Sequence, residues 1–189
     1  MYVPPAPEDG IRRFRVEEYY RMARAGVFAD DERVELLEGR IHRMTPQGAR
    51  HMRAISRLNR HIVPLLGEEL ILRVQGPLTL SEDSEPEPDL AVVRTADEAS
   101  DERHPSTALL VIEVSEDSLP KDRSVKAQLY ARAGIPEYWI VNLRRQSVEV
   151  YTSPDTGEGR YGTVHTYARG QRVQSSVLPR LSIEIETLL

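Results

Sequence analysis

No cysteine occurs among the 189 residues. That excludes disulfides and thiolate metal centres, so any bound metal must be held by oxygen or imidazole. Nor is there a run of about 18 apolar residues, which leaves no candidate for a membrane-spanning helix. The opening stretch MYVPPAPEDG lacks the apolar core of a signal peptide. Internal repeats and low-complexity segments are absent too, and a soluble, cytoplasmic protein is the expectation. Positive charge is not in excess: the formal net charge of −5 argues against a generic nucleic-acid coat protein and says nothing about a local basic patch. What is present, a 40% hydrophobic content, suffices for one domain with a real core. The expectation is a loose, Pro-rich arm over residues 1–13 and a single domain over 14–189.

Two short apolar runs organise the middle of the chain. EPEPDLAVVR and TALLVIEVS contain AVV and ALLVI, which are free of Pro and Gly and rich in aliphatic residues, as buried strands are. Each carries a carboxylate that its neighbours do not explain, Asp89 at the head of the first and Glu113 near the tail of the second. Acids almost never sit fully buried unless they are paired or hold a metal. Two of them on adjacent strands suit a hard divalent cation, Mg²⁺ or Mn²⁺, with water and a phosphate oxygen completing its shell.

Around these runs the pattern predicts a short helix over Val16 to Ala25 ended by Gly26, then a hairpin over Val34 to Met44 with Glu38-Gly39 at its turn. Ala49 to Leu66 reads as a helix with Met52, Ile55, Leu58, Ile62, Leu65 and Leu66 on one side. Arg50, Arg53, Arg57 and Arg60 form a row on the other side, fit either to bind phosphates or simply to face solvent. His51 falls in the apolar sector near the helix start, a core histidine or a group supporting metal ligands from behind. Leu70 to Leu80 reads as a strand with a bend at Gly76-Pro77. A helix capped by Ser118 runs to about Ala133 and stops at Gly134. PEYWIVNL is a buried strand with Trp139 in the core, SVEVY and YGTVHTY extend a hairpin, and VLPRLSIEIETLL packs back. The helix between ALLVI and YWIV can form a right-handed crossover between parallel strands. A mixed α/β sheet flanked by helices, with added hairpins at both ends, follows.

On the crossover helix, Val125, Leu129, Tyr130 and Ala133 define the inward face, and Lys126 projects within it. An inward lysine usually snorkels to the surface or pairs with an acid. Two unexplained acids are expected nearby, so a shared site is the stronger reading. Lys121 and Arg132 sit at the edge of that face, and Asp122 reads as a first-turn partner of the helix dipole.

The ordered set VELLEGRI, EPDLAVV, LLVIEVS, D-x-x-x-K-x-x-x-Y from Asp122 to Tyr130, and AGIPEYWIV resembles the bacterial Uma-type family of restriction-endonuclease-like proteins, within the PD-(D/E)xK nuclease superfamily. The resemblance covers the chain from about Arg15. It implies the restriction-endonuclease-like α/β core, Mg²⁺-dependent cleavage of nucleic acid (DNA in the first instance) and a homodimer. Pro88-Asp89 matches the PD element, Glu113 the acid of (D/E)xK, and Glu38 the upstream acid. The lysine of a simple E-x-K pattern would stand at position 115, where this chain has Ser115. Lys126 on the following helix matches the displaced lysine. The expected site is therefore Glu38, Asp89, Glu113 and Lys126, with the metal on Asp89 and Glu113.

Overall fold

LVIEVS, strand β5 (Leu110–Ser115), is buried at every position. A strand can be apolar on both sides only if both faces of its sheet are covered. Here they are. The computed structural model describes residues 10–98 and 103–188. Its central element is a six-stranded sheet ordered β3 (Leu70–Val74), β4 (Leu90–Arg94), β5, β6 (Glu137–Asn142), β7 (Ser147–Asp155) and β8 (Arg160–Ala168). Only β5 and β6 are parallel; the other neighbours are antiparallel. The expected crossover supplies the parallel pair. The architecture is the mixed α/β sheet flanked by helices that the sequence pattern implied.

One face is covered by helix α2 (Ala49–Ile62), whose Ala54, Ile55, Leu58 and Ile62 pack on a cluster including Leu90, Val92, Leu110 and Ile112. Burial of each larger apolar side chain contributes about 1.5–3 kcal/mol. The C-terminal pair β9 (Arg172–Gln174) and β10 (Ser182–Glu184), with helix α5 (Ile185–Leu188), joins the same cluster. The opposite face carries Ala91, Val111, Tyr138 and Ile140 against Ala127 and Tyr130 of the crossover helix. That helix runs as α3 (Leu119–Lys121), one wide π turn (Asp122–Lys126) and α4 (Ala127–Arg132). The N-terminal helix is α1 (Val16–Arg24).

Four expectations need correction, the first being the strand expected over Leu70 to Leu80, which ends at Val74 before Gly76-Pro77. Helix α2 stops at Ile62 rather than Leu66, because Pro64 lacks an N–H and a 3₁₀ turn, Val63–Leu65, replaces the last α turn. Met52, placed by periodicity on the apolar side, is 41% exposed. Ser118 stands at the helix start, but its hydroxyl donates to Asp122 Oδ2 (2.5 Å) instead of capping the backbone. The anticipated arm, residues 1–13, falls mostly on residues 1–9, which lie outside the described residues.

The hairpin β1 (Val34–Leu37) to β2 (Arg40–Arg43) turns at Glu38 (φ 49°) and Gly39 (φ 72°), two positive φ values in succession as a type I′ turn requires. Reciprocal bonds join it to the segment leading to β4: Glu85 N to Leu36 O at 2.7 Å and Leu36 N to Glu85 O at 3.4 Å. Gly39 has a second constraint, since a Cβ there would lie 2.5 Å from Arg13 Cβ. Gly26, also at positive φ (70°), has nothing within 4 Å. Gly26→Ala should therefore cost only the backbone term of about 1–2 kcal/mol. Gly39→Ala should cost clearly more, because the N-terminal segment must also shift. Urea denaturation of the two variants checks this; equal losses would mean the close approach of Arg13 carries no weight.

Candidate active site

Antiparallel pairing of Leu90 with Ile112 continues one step outward to set Asp89 opposite Glu113. Both acids therefore stand at the same end of the sheet and on the same face. Asp89 is 7% exposed and Glu113 4%. The Asp89 carboxylate is fixed through Oδ2, which accepts the Val114 N–H at 2.8 Å and lies 3.1 Å from His51 Nε2. His51 thus comes from the start of α2, on the opposite face, to the rim of the acid pair.

The crossover helix delivers the cation. Lys126 Nζ lies 2.8 Å from Glu113 Oε1 and 3.1 Å from Glu35 Oε2, and is almost fully buried. The Tyr130 hydroxyl donates to the same Glu113 oxygen at 2.8 Å. The π turn matters to this convergence. Residues four apart drift about 40° around a straight α-helix; a π turn carries more residues per turn and drifts the other way. With the π turn between Asp122 and Lys126 and α geometry from there to Tyr130, all three remain on the inner side. Each is buried.

Glu38 does not join these groups. It occupies the outward side of the hairpin turn, where Oε1 accepts from Arg132 Nη1 at 2.7 Å. The upstream acid that does reach the site is Glu35, three residues earlier on β1 and 1% exposed. Its Oε1 takes Lys121 Nζ at 2.6 Å, its Oε2 lies 3.1 Å from Lys126, and Oε2 also accepts the Glu87 N–H at 3.2 Å. Lys121, expected at the edge, is thus a second ammonium of the cluster. Asp122, read as a dipole partner, is instead buried beside it. The sequence did carry a signal for Glu35: an acid within VELL, a strand buried at every position, is the same anomaly that marks Asp89 and Glu113.

These side chains line a cleft of about 80 Å³ walled by residues 44–48 and 116–118. In the arginine row, Arg50 is spent on Glu116 (3.2 Å) and the Leu143 carbonyl (3.1 Å). Arg57 is half-buried and has contacts of its own. Arg53 and Arg60 are exposed, with no ion pair among the described residues.

Charge in the cleft is set by burial first. Burial pushes the Glu113 carboxyl up to about 8; Lys126 opposes the rise, while Asp122, Asp89 and Glu35 add to it. Burial likewise acts against charge on Lys126, but Glu113, Glu35 and Asp122 outweigh it and hold the ammonium protonated. For Glu35 burial is outweighed by Lys126 and Lys121, which lower its pKa. His51 is raised: burial opposes its charge, and Asp89 more than compensates.

Among the described residues no group of three His, Asp or Glu side chains is arranged to hold a metal. Asp89 Oδ1 and Glu113 Oε2, however, accept no hydrogen bond from the described residues, so one hard oxygen on each acid remains available. Mg²⁺ keeps several waters and is commonly bound by one or two carboxylates plus substrate phosphate. On that criterion the residues fit such an ion.

A mixed sheet with acids from neighbouring strands and a lysine from the crossover helix defines a restriction-endonuclease-like α/β protein. The sequence matches the family model Uma2, described as "Putative restriction endonuclease", over residues 16–186, and the chain belongs to that family. Among solved structures it is similar to one described as "a putative nuclease belonging to DUF820" from Anabaena variabilis ATCC 29413. That similarity has a TM-score of 0.68 at 16% identity, covering 93% of this chain and 97% of that one. At that identity the likeness speaks for the fold. No curated protein matches the sequence. Family membership supports a nuclease. No helix among the described residues is long and apolar enough to cross a membrane.

The electrostatics give a stability profile. An acid whose folded pKa is raised contributes stability that is present below its unfolded value and lost as pH rises through its folded value. For Glu113 that window runs from about 4.5 to about 8. Asp122 and His51, both raised, act in the same direction, while Glu35, lowered, weakens the fold only in acid. Without added metal the melting temperature should fall between pH 5.5 and 8.5, and Glu113→Gln should remove most of that fall. A parent protein with a flat profile would show that Glu113 is ionised throughout.

Proposed function

We propose that this cleft is the active site of a Mg²⁺- or Mn²⁺-dependent endonuclease that hydrolyses phosphodiester bonds in DNA. The observation that carries the proposal is Lys126, a buried ammonium 2.8 Å from Glu113 on the strand beside Asp89. Asp89 and Glu113 would hold the ion. Bound there, a divalent cation polarises a phosphodiester and lowers the pKa of a water molecule.

The chain's own groups have separable tasks in this reading. The Val114 N–H and His51 fix the Asp89 carboxylate, and the Tyr130 hydroxyl fixes Glu113, so both acids are oriented in advance. Lys126 offsets the negative charge that develops on the phosphoryl oxygens, in a site where water cannot dilute its field. Glu35, rather than Glu38, holds Lys126 from the opposite side and tethers Lys121. The Lys121 side chain is 27% exposed, so it faces the mouth of the cleft and can meet an arriving phosphate. Arg53 and Arg60 of the α2 row contact the backbone outside the cleft. The enzyme is read as a cytoplasmic homodimer built from a single domain over 14–189.

A second reading, a catalytically silent nucleic-acid-binding or interaction module on the same fold, is favoured by one observation. Glu113 Oε1 is already engaged by both Lys126 and Tyr130, a closed network that could be purely structural. Two measurements separate the readings. Isothermal titration with Mn²⁺ should show binding to the parent protein and none to Asp89→Asn; undiminished binding would remove the ion from this site. Plasmid cleavage should fall roughly a hundredfold or more in Lys126→Ala, the scale for loss of one preorganised charge-stabilising group. Because that variant strands two buried carboxylates at a cost of about 3–5 kcal/mol, cleavage must be compared well below its lowered melting temperature. Cleavage at the parent rate would sink the role given to Lys126.

The α2 row has its own test. Arg53→Glu with Arg60→Glu should weaken DNA binding and lower the salt slope by about 2, one unit for every phosphate no longer neutralised. An unchanged slope would make the row a solvated face.

A further inference from the structure

A cavity larger than the acidic cleft lies elsewhere among the described residues. It is a groove of about 1120 Å³ on the far side of the 79–85 segment, between α1, β3 and the residues just after position 102. Its charges fall into two groups. Glu82 is paired with Arg15, Glu98 with Arg73, and Glu85 accepts the hydroxyls of Tyr20 (2.5 Å) and Thr79 (2.6 Å). Most of the acidity is therefore used up. Arg21 and Arg24, one turn apart on α1, and Arg103 on the opposite wall are exposed, and their side chains make no hydrogen bond or close ion pair among the described residues, although Arg21 is near enough to help lower the Glu18 pKa and Glu17 remains as an exposed acid on the same wall.

The floor of the groove is positively charged as well. Arg73, with a side chain 14% exposed, has a buried Nε without a hydrogen-bond partner. Its Nη2 lies 3.3 Å from His104 Nδ1, so His104 accepts there and keeps its Nε2–H as a donor. That Nε packs toward Gly76, and the other guanidinium nitrogens are held by Glu98, the Pro77 carbonyl and His104, so Arg73 forms the floor of the groove and leaves the ligand to the exposed arginines. Guanidinium groups match phosphate oxygens bidentately. Tyr20, half-buried on the same wall, offers a ring face on which a base can stack.

We infer that the groove bounded by Arg21, Arg24, Arg73 and Arg103 is a second, phosphate-binding site that holds a nucleotide unit, supplied by a single polynucleotide strand. The same chemistry would accept a free nucleotide. The identity of the strand, but not the existence of the site, rests on the nuclease reading.

The test is binding in EDTA, where cleavage plays no part. Fluorescence anisotropy with a fluorescein-labelled single-stranded 12-mer, and calorimetry with AMP, serve as the two probes. Arg21→Glu with Arg24→Glu should weaken the 12-mer at least tenfold and lower its salt slope by about 1.4, about 0.7 for each of two phosphates of a single strand left without its arginine. Arg103→Gln, on the other wall, should weaken it in the same direction without charge reversal. Arg160→Glu with Arg180→Glu, an equal charge reversal at exposed positions elsewhere, should change it little. AMP binding to the parent that is abolished in the α1 variant would also support the site and assign it to a free nucleotide. The inference is overturned if the parent binds neither probe, if the groove variants bind as the parent does, or if the distant reversal weakens binding equally. A protein that binds through the groove yet never cuts would sink the nuclease reading alone. An active nuclease indifferent to the groove variants would sink this one alone.

Discussion

A lysine ammonium buried beside carboxylates is the constraint on which the rest of this structure turns. Removing Lys126 and Glu113 from water is expensive, and their attraction repays the cost only with close geometry and saturated hydrogen bonds. The protein supplies the close geometry by drawing on three elements at once, and it saturates one oxygen of Glu113 while leaving the other open. β5 supplies Glu113, the crossover helix supplies Lys126 and Tyr130, and the β1–β2 hairpin supplies Glu35. None of the three can move without stranding a buried charge. The reciprocal bonds between Leu36 and Glu85 then matter beyond their number, because they dock the hairpin where Glu35 can reach.

The same crowding prepares the cleft for chemistry. Several carboxylates face two lysines and a histidine across a small space, and burial, with Asp122, Asp89 and Glu35 around it, pushes the Glu113 carboxyl up to about 8. The raised Glu113 keeps the cluster from carrying the full negative charge of its acids. The hydrogen bonds from Val114, Lys126 and Tyr130 each take one oxygen of an acid and leave the other. That division is the difference between a structural ion-pair network and a site that can still bind something.

Acidic cleft and arginine-lined groove are divided by one short stretch of chain. Residues 79–85 border the groove, and Glu87 and Asp89, a few positions on, border the cleft. A net charge of −5 conceals this segregation, since buried acids gather in the cleft and exposed arginines along the groove.

Composition and periodicity by themselves determined the central strands and the main helices, though not all their ends, and marked three of the groups that the cleft brings together. Asp89 and Glu113 were legible because a carboxylate inside an apolar strand has few innocent explanations, and Lys126 because it interrupts the inner face of a helix. Glu35 carried the same mark within VELL, yet motif matching favoured Glu38, although its place at the expected Glu38-Gly39 turn already suited an outward-facing residue; only its partner, Arg132, was not legible. Pro64 gave a local warning of where α2 must stop. The π turn gave none, for its phase shift is decided by what Asp122, Lys126 and Tyr130 must meet. Only the tertiary structure could decide which acid meets which lysine, that Lys121 belongs to the cluster, and that arginines distant in sequence share a groove. Those facts depend on distances between elements, and local periodicity records only which way a residue faces, not what waits there.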